Sequence, residues 1–155
     1  NFSEKLMLMG NQFEITVVAE DKDTASILIG LAVEEIKRIE SLISSWDKLS
    51  QTSLINRNAG LFPVKVDLEL YNLISRSIAI SQLTDGAFDI TFASMEGVWV
   101  FDGTMTSFPL KSEIEKSLSK VGYENIVLDD ENHTVFLKNK GMKISFGGIG
   151  KGYAA

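Results

Sequence analysis

"NIVLDDENHTVFLKNKGMKISFGGIGKGYAA", residues 125–155, decides the fold class, because strand formers, turn residues and helix formers succeed one another within it. "NIVLD", "HTVFL" and "MKISF" carry strand formers, and "DEN" and "KNKG" between them carry turn chemistry. The pattern predicts strand, polar turn, strand, glycine turn, strand: a small antiparallel meander. Upstream, the hydrophobic period lengthens to that of helices. Leu28, Ala32, Ile36, Ile39 and Ile43 recur three or four residues apart, which predicts a helix over 24–43 with Asp23 as its N-cap. A second helix is predicted over 67–83, halted at "TDGAFD" where Asp85-Gly86 supplies a turn. A third puts Leu110, Ile114, Leu118 and Val121 on one face, with Pro109 near its start and Gly122 just past its end. Helices and hairpin-linked strands therefore mix without a βαβ rhythm. The expectation is an α+β chain of one domain, or the larger part of one.

Two segments are less regular, and one further strand precedes them. In "NQFEITVVAE" (11–20) Phe13, Ile15 and Val17 fall on one side and Glu14 and Thr16 on the other, as in a half-buried strand. "SSWDKLSQTSLINRNAG" (44–60) is expected to be a surface loop with a short turn of helix. "FASMEGVWVFDGTMTSFP" (92–109) is expected to be a tightly packed irregular segment.

Composition narrows the chemistry. With 155 residues, 45% of them hydrophobic, the chain can bury one sizeable core. Its formal net charge of -6 disfavours a polyanionic partner, so nucleic acid is not expected. There is no cysteine and a single histidine, His133, which excludes thiolate chemistry and a histidine-rich zinc site. Any metal would be a hard cation held by oxygens. His133 is expected in solvent beside a turn. The acidic runs Glu34-Glu35 and Asp129-Asp130-Glu131 are expected to be solvated faces. No apolar run approaches the ~20 residues of a membrane helix.

The glycine cluster Gly147 to Gly152 around Lys151 matches neither nucleotide-binding signature. Aligned as a Walker A loop, it has Ser145 where the first glycine belongs and Gly152 where the hydroxyl belongs. As a dinucleotide fingerprint it would need a glycine at Tyr153. Two readings stay open: a strand-to-helix turn with Lys151 in solvent, or backbone N–H groups and an ammonium converging on a phosphate. In "GAFDIT", small residues Gly86 and Ala87 precede Phe88 and Asp89, an aromatic surface and a carboxylate. A helix C-cap followed by a core strand explains the same letters. Trp46, between Ser45 and Asp47, either folds back on the core or serves as a stacking platform. Trp99, flanked by Val98 and Val100, reads as core.

Taken in order, "LMGNQFEITV", "ISSWDKLSQTSLINRN", "SQLTDGAFDITF" with "VWVF" downstream, "VGYENIVLD" and "GMKISFGGIGKGYAA" resemble the FAD:protein FMN transferase (ApbE) family. The resemblance spans nearly the whole chain and implies an ApbE-like, T-fold-related fold of mixed helices and antiparallel strands. It also implies that 1–155 is the N-terminal portion of one transferase domain, truncated after the glycine-rich loop with the C-terminal part missing, and inactive alone. Family members bind FAD and, with Mg2+, move its FMN part onto a threonine or serine of a target flavoprotein, releasing AMP. Some relatives hydrolyse FAD instead, so an FAD-binding or pyrophosphatase protein is the alternative. Residue by residue, Met9 matches a flavin-site methionine, although Asn11 replaces the usual following threonine. Trp46 falls where many members stack a tyrosine on the isoalloxazine, and Ala87, Phe88 and Asp89 match a flavin-contacting triplet. Lys151 matches the lysine after the glycine loop, Gly148 a metal-ligating position served by its carbonyl, and Ser145 a position often filled by aspartate. No catalytic residue is implied within 1–155. Many relatives are lipoproteins on the periplasmic side of the inner membrane, which makes that the expected location, with the anchoring cysteine absent here.

Overall fold

The computed structural model describes residues 1–99 and 104–155. Strands β1 (Phe2–Leu8) and β2 (Asn11–Val17) form an antiparallel hairpin, Phe2 facing Val17 and Leu8 facing Asn11. Only Met9 and Gly10 join them, at φ 51° and 68°, the positive values that let a two-residue type I′ turn match the strand twist. On β2 the expected pattern holds, with Phe13, Ile15 and Val17 half-buried between exposed neighbours. β1 went unforeseen because Ser3, Glu4 and Lys5 break its alternation; pairing with β2 is what makes it a strand.

Helix α1 (Lys22–Ile43) is capped by Asp21 and not by Asp23. Asp21 stands three residues before Thr24 and accepts its backbone N–H at 2.8 Å and its hydroxyl at 2.9 Å. Asp23 falls in the first turn, where a carboxylate still favours the helix dipole. The stripe Ile36, Ile39, Ile43 is buried as expected, but at the N-terminal end Ala25 and Ile29 replace Leu28, which is exposed.

Helix α2 (Gln51–Arg57), strand β3 (Val64–Lys65) and helix α3 (Leu68–Leu83) follow. Asp67 begins α3, and Asp85 and Gly86, both at positive φ, turn the chain away after it. "GAFDIT" then leads into a 3-10 helix (Ile90–Met95) and not into a strand, because Asp89 caps it by accepting the Thr91 backbone N–H at 2.7 Å. In "VWVF", Val100 and Phe101 lie outside the described residues, as does Gly103.

Helix α4 (Lys111–Leu118) forms where expected, and the Glu113 carboxylate accepts the Leu110 N–H at 2.9 Å. Its apolar face, however, stays open, with Leu110 and Leu118 both exposed. Strands β4 (Ile126–Asp129) and β5 (Thr134–Leu137) pair antiparallel, Ile126 against Leu137. The third strand is not "MKISF" but β3, which sets Val64 against Val135 and gives the order β3-β5-β4. Met142, Ile144 and Phe146 still point into the core, as their alternation implied, yet outside the ladder. Helix α5 (Gly150–Ala154) closes the described chain. One core joins the end of α1, α3, the sheet and the Met142–Phe146 stretch, with Leu70, Ile74, Val135, Leu137, Met142 and Ile144 all but fully buried.

Candidate functional site

Between α1 and α2 the chain is stitched by its own hydroxyls. Ser44 Oγ accepts the N–H groups of Trp46 and Asp47, at 3.3 and 3.0 Å, and Asp47 Oδ1 accepts that of Leu49 at 2.9 Å. Ser50 and Ser53 donate to the carbonyls of Ser44 and Ser45. Residues that read as loop formers in sequence thus make a fixed platform. Trp46 is not folded back: it is 82% exposed.

That indole overlooks a cleft of about 1520 Å³, whose walls also hold Met9, Phe92, Trp99, Ser145 and Lys151. Met9 comes from the hairpin turn, Phe92 from the 3-10 helix and Lys151 from α5, so four chain segments meet there. Four cations line it, Lys48, Arg57, Lys143 and Lys151, against two carboxylates, Glu40 and Glu96. Lys143 is paired with Glu96 at 2.5 Å, and Arg57 donates to the Lys48 carbonyl at 2.6 Å. Among the described residues no carboxylate lies within ion-pair distance of Lys48, Arg57 or Lys151. The cleft is therefore positive in a chain of net charge -6. Cationic walls beside exposed aromatic rings suit an anion that carries a flat ring system.

Two arrangements hold the far wall. Asn56 of α2 binds both main-chain groups of Ile144, donating to its carbonyl at 3.0 Å and accepting its N–H at 2.8 Å. The stretch that lacks a sheet partner is so tied to the helix behind Trp46. Gly150 opens α5 where a Cβ would lie 2.6 Å from Ile43 Cδ1 and 3.5 Å from Met9 Cε, so any side chain there would force Ile43 to shift. Farther along α5, Tyr153 donates to Glu69 Oε1 at 2.9 Å, and Arg38 binds Glu69 at 2.7 and 2.9 Å and Glu35 at 2.7 and 2.8 Å. Hydrogen bonding from Arg38 holds both carboxyls below the usual range, and burial chiefly raises the Tyr153 phenol.

Of the residues singled out in sequence, Met9, Trp46, Ser145 and Lys151 share the cleft. Ala87, Phe88 and Asp89 lie outside its walls. Phe88 touches the glycine bend, its ring 3.2 Å from where a Cβ on Gly148 would stand. The Asp89 carboxylate is spent on the protein itself: Oδ1 accepts from Thr91 and Oδ2 accepts the Tyr123 N–H at 3.0 Å. Gly148 borders a neighbouring cavity of about 260 Å³ with Arg76 and Tyr153. Among the described residues no group of three or more His, Cys, Asp or Glu side chains could hold a metal ion.

Trp99 is a correction, since it stands on the cleft wall and not in the core. His133 is another: it is half-buried, edge-on to Tyr71 with ring centroids 5.4 Å apart. Sequence reasoning missed Asn56, Arg57, Phe92 and Lys143. All four stood inside stretches already singled out, but nothing local marked the direction of their side chains.

The profile of the ApbE family matches residues 9–155. An FAD:protein FMN transferase of Klebsiella pneumoniae is 30% identical over 154 residues, 99% of this chain and 48% of that protein. The crystal structure of the ApbE protein from Thermotoga maritima superposes with a TM-score of 0.88 at 35% identity, covering 99% of this chain and 49% of that one. The apo flavinyl transferase ApbE of Pseudomonas stutzeri shares the fold, with a TM-score of 0.83 at 18% identity. The chain thus spans about half the length of the relatives it matches.

Proposed function

We propose that this chain, which belongs to the ApbE family, forms the flavin-holding wall of an FAD:protein FMN transferase. What carries the reading is the cleft, where an exposed indole and an excess of cations face one space in an acidic protein. Trp46 and Met9, which line the same cleft, take the isoalloxazine; Lys151, Lys48 and Arg57 take the pyrophosphate. Ala87, Phe88 and Asp89 act from behind by shaping the glycine bend and the 3-10 helix.

In the reaction, an acceptor Thr or Ser hydroxyl oxygen bonds to the phosphorus of the FMN half, and that phosphorus loses its bridging oxygen, which leaves with AMP. The hydroxyl proton passes to a base beside the acceptor hydroxyl. Fixing the pyrophosphate aligns the attack and offsets charge on the departing AMP. Magnesium requires oxygen ligands that the described residues do not supply as a cluster; Gly148 offers one carbonyl. What these residues do is bind and orient. The proposed setting is extracytoplasmic, on a lipid-anchored protein, with a flavoprotein as the partner.

Titrating FAD into the full-length protein while following flavin fluorescence tests this directly. Stacking on Trp46 should quench the flavin, and Trp46→Ala should weaken binding roughly tenfold, the worth of one aromatic stack. An unchanged affinity in both Trp46→Ala and Lys151→Met would refute the assignment. With an acceptor protein present, a gain of the FMN mass reports transfer; free FMN and AMP without labelling report hydrolysis.

A further inference from the structure

We propose that Tyr153 is a positioning residue, which acts through Glu69 and Arg38 to hold α5 so that Lys151 stays in the cleft. The inference rests on the reading of that cleft as the seat of the FAD pyrophosphate. Helix α5 begins at Gly150, directly after the glycine bend. Its orientation is set by what it is bonded to. Beyond the packing of Tyr153 and Ala154 on the core, two fastenings do this. At the first residue, Gly150 packs without a side chain against Ile43 and Met9. At the fourth, the Tyr153 hydroxyl reaches Glu69 on α3, and Arg38 on α1 grips the same carboxylate.

Helical geometry links this fastening to the site. Residues two apart on an α-helix point roughly 200° from each other. Tyr153 turned to Glu69 therefore sends Lys151 to the opposite side, the side that lines the cleft. One guanidinium shared by two carboxylates fixes direction more than it adds energy, because Arg38 and Glu35 are half-exposed. The phenol remains a donor and the carboxylate an acceptor across the neutral range, given the directions in which burial and Arg38 shift them.

The test uses the full-length protein with Tyr153→Phe, which keeps the ring and removes the donor, and Glu69→Gln, which keeps the shape and removes the charge. Hydrogen exchange of 147–154 is read without ligand; affinity is read for FAD and for riboflavin, which has no phosphate. Faster exchange at 147–154 is expected in both variants. FAD binding should weaken about fivefold, part of the worth of one hydrogen bond to a charged group, with riboflavin binding unchanged. Adding Tyr153→Phe to Lys151→Met should cost no further FAD affinity, since the effect runs through the lysine. Unchanged exchange overturns the latch however FAD behaves. A loss that extends equally to riboflavin, or that persists in the Lys151→Met background, overturns the positioning role. A wild-type protein that binds no FAD refutes the flavin reading, and exchange then decides the latch alone.

Discussion

Replacing Asn56 should cost more than its half-buried side chain suggests, because the loss falls on the backbone of another residue. Asn56 satisfies both the N–H and the carbonyl of Ile144, at 2.8 and 3.0 Å, and Ile144 has no exposed surface. Asn56→Ala orphans both groups at once. Each buried main-chain group left unpaired costs about 1–3 kcal/mol. Asn56 also lines the cleft, so water can follow the truncated side chain inward and meet part of the need. The expected loss for alanine is therefore about 2–3 kcal/mol, near the lower end for two such groups. Asn56→Leu should cost more than alanine, since it fills the space and excludes that water. Asn56→Asp should fall between wild type and alanine: it can accept the N–H but sets a carboxylate against the Ile144 carbonyl. Urea midpoints at constant m-value would rank the three. Leucine more stable than alanine, or an alanine loss under about 0.5 kcal/mol, would refute the clamp.

Gly150→Ala should destabilise by about 1–3 kcal/mol through overpacking, because its Cβ would stand 2.6 Å from Ile43 Cδ1 in the core. An unchanged melting temperature would show that Ile43 yields freely. Asp89→Ala should lower stability by about 1–2 kcal/mol, as it removes the cap of the 3-10 helix and the acceptor of the Tyr123 N–H; flavin binding lost at full stability would instead mean direct ligand contact. Acid should loosen the α5 fastening. Glu35 and Glu69 titrate below their ordinary 4.5 in the fold, so their contribution is complete above pH 4.5 and drains as pH falls through the lowered values. Arg38→Gln should remove that part of the acid sensitivity, and a melting profile from pH 6 to 3 as steep as wild type would contradict it.

The regular elements were legible because their signals are local and periodic. The α1 stripe from Ile36 to Ile43, the β2 alternation and the Asp85-Gly86 stop each need only neighbouring residues to declare themselves. Strand β3 could not be seen, since two residues have no period and Val64–Lys65 is a strand only because β5 lies beside it. "MKISF" fails the other way. Its alternation correctly reported one buried face, but alternation says nothing about whether a partner strand is present, and Asn56, 88 residues away in sequence, supplies the bonding instead together with Ser94 and the Ile90 carbonyl.

The cleft divides on the same principle. Trp46 and Lys151 drew attention by residue type and setting, and Met9 and Ser145 by motif alignment and family resemblance, whereas Trp99 read as core because a large apolar letter is normally buried. Much of the cleft comes from short or irregular segments, a two-residue turn, a hydroxyl-stitched loop, a 3-10 helix and a glycine bend, set beside the end of α1 and α2. Such segments display their chemistry in sequence but not their direction. Direction comes from the longer elements they join, and above all from long-range bonds such as Asn56 to Ile144 and Tyr153 to Glu69. A site built this way should be more sensitive to those distant bonds than to conservative changes in the lining.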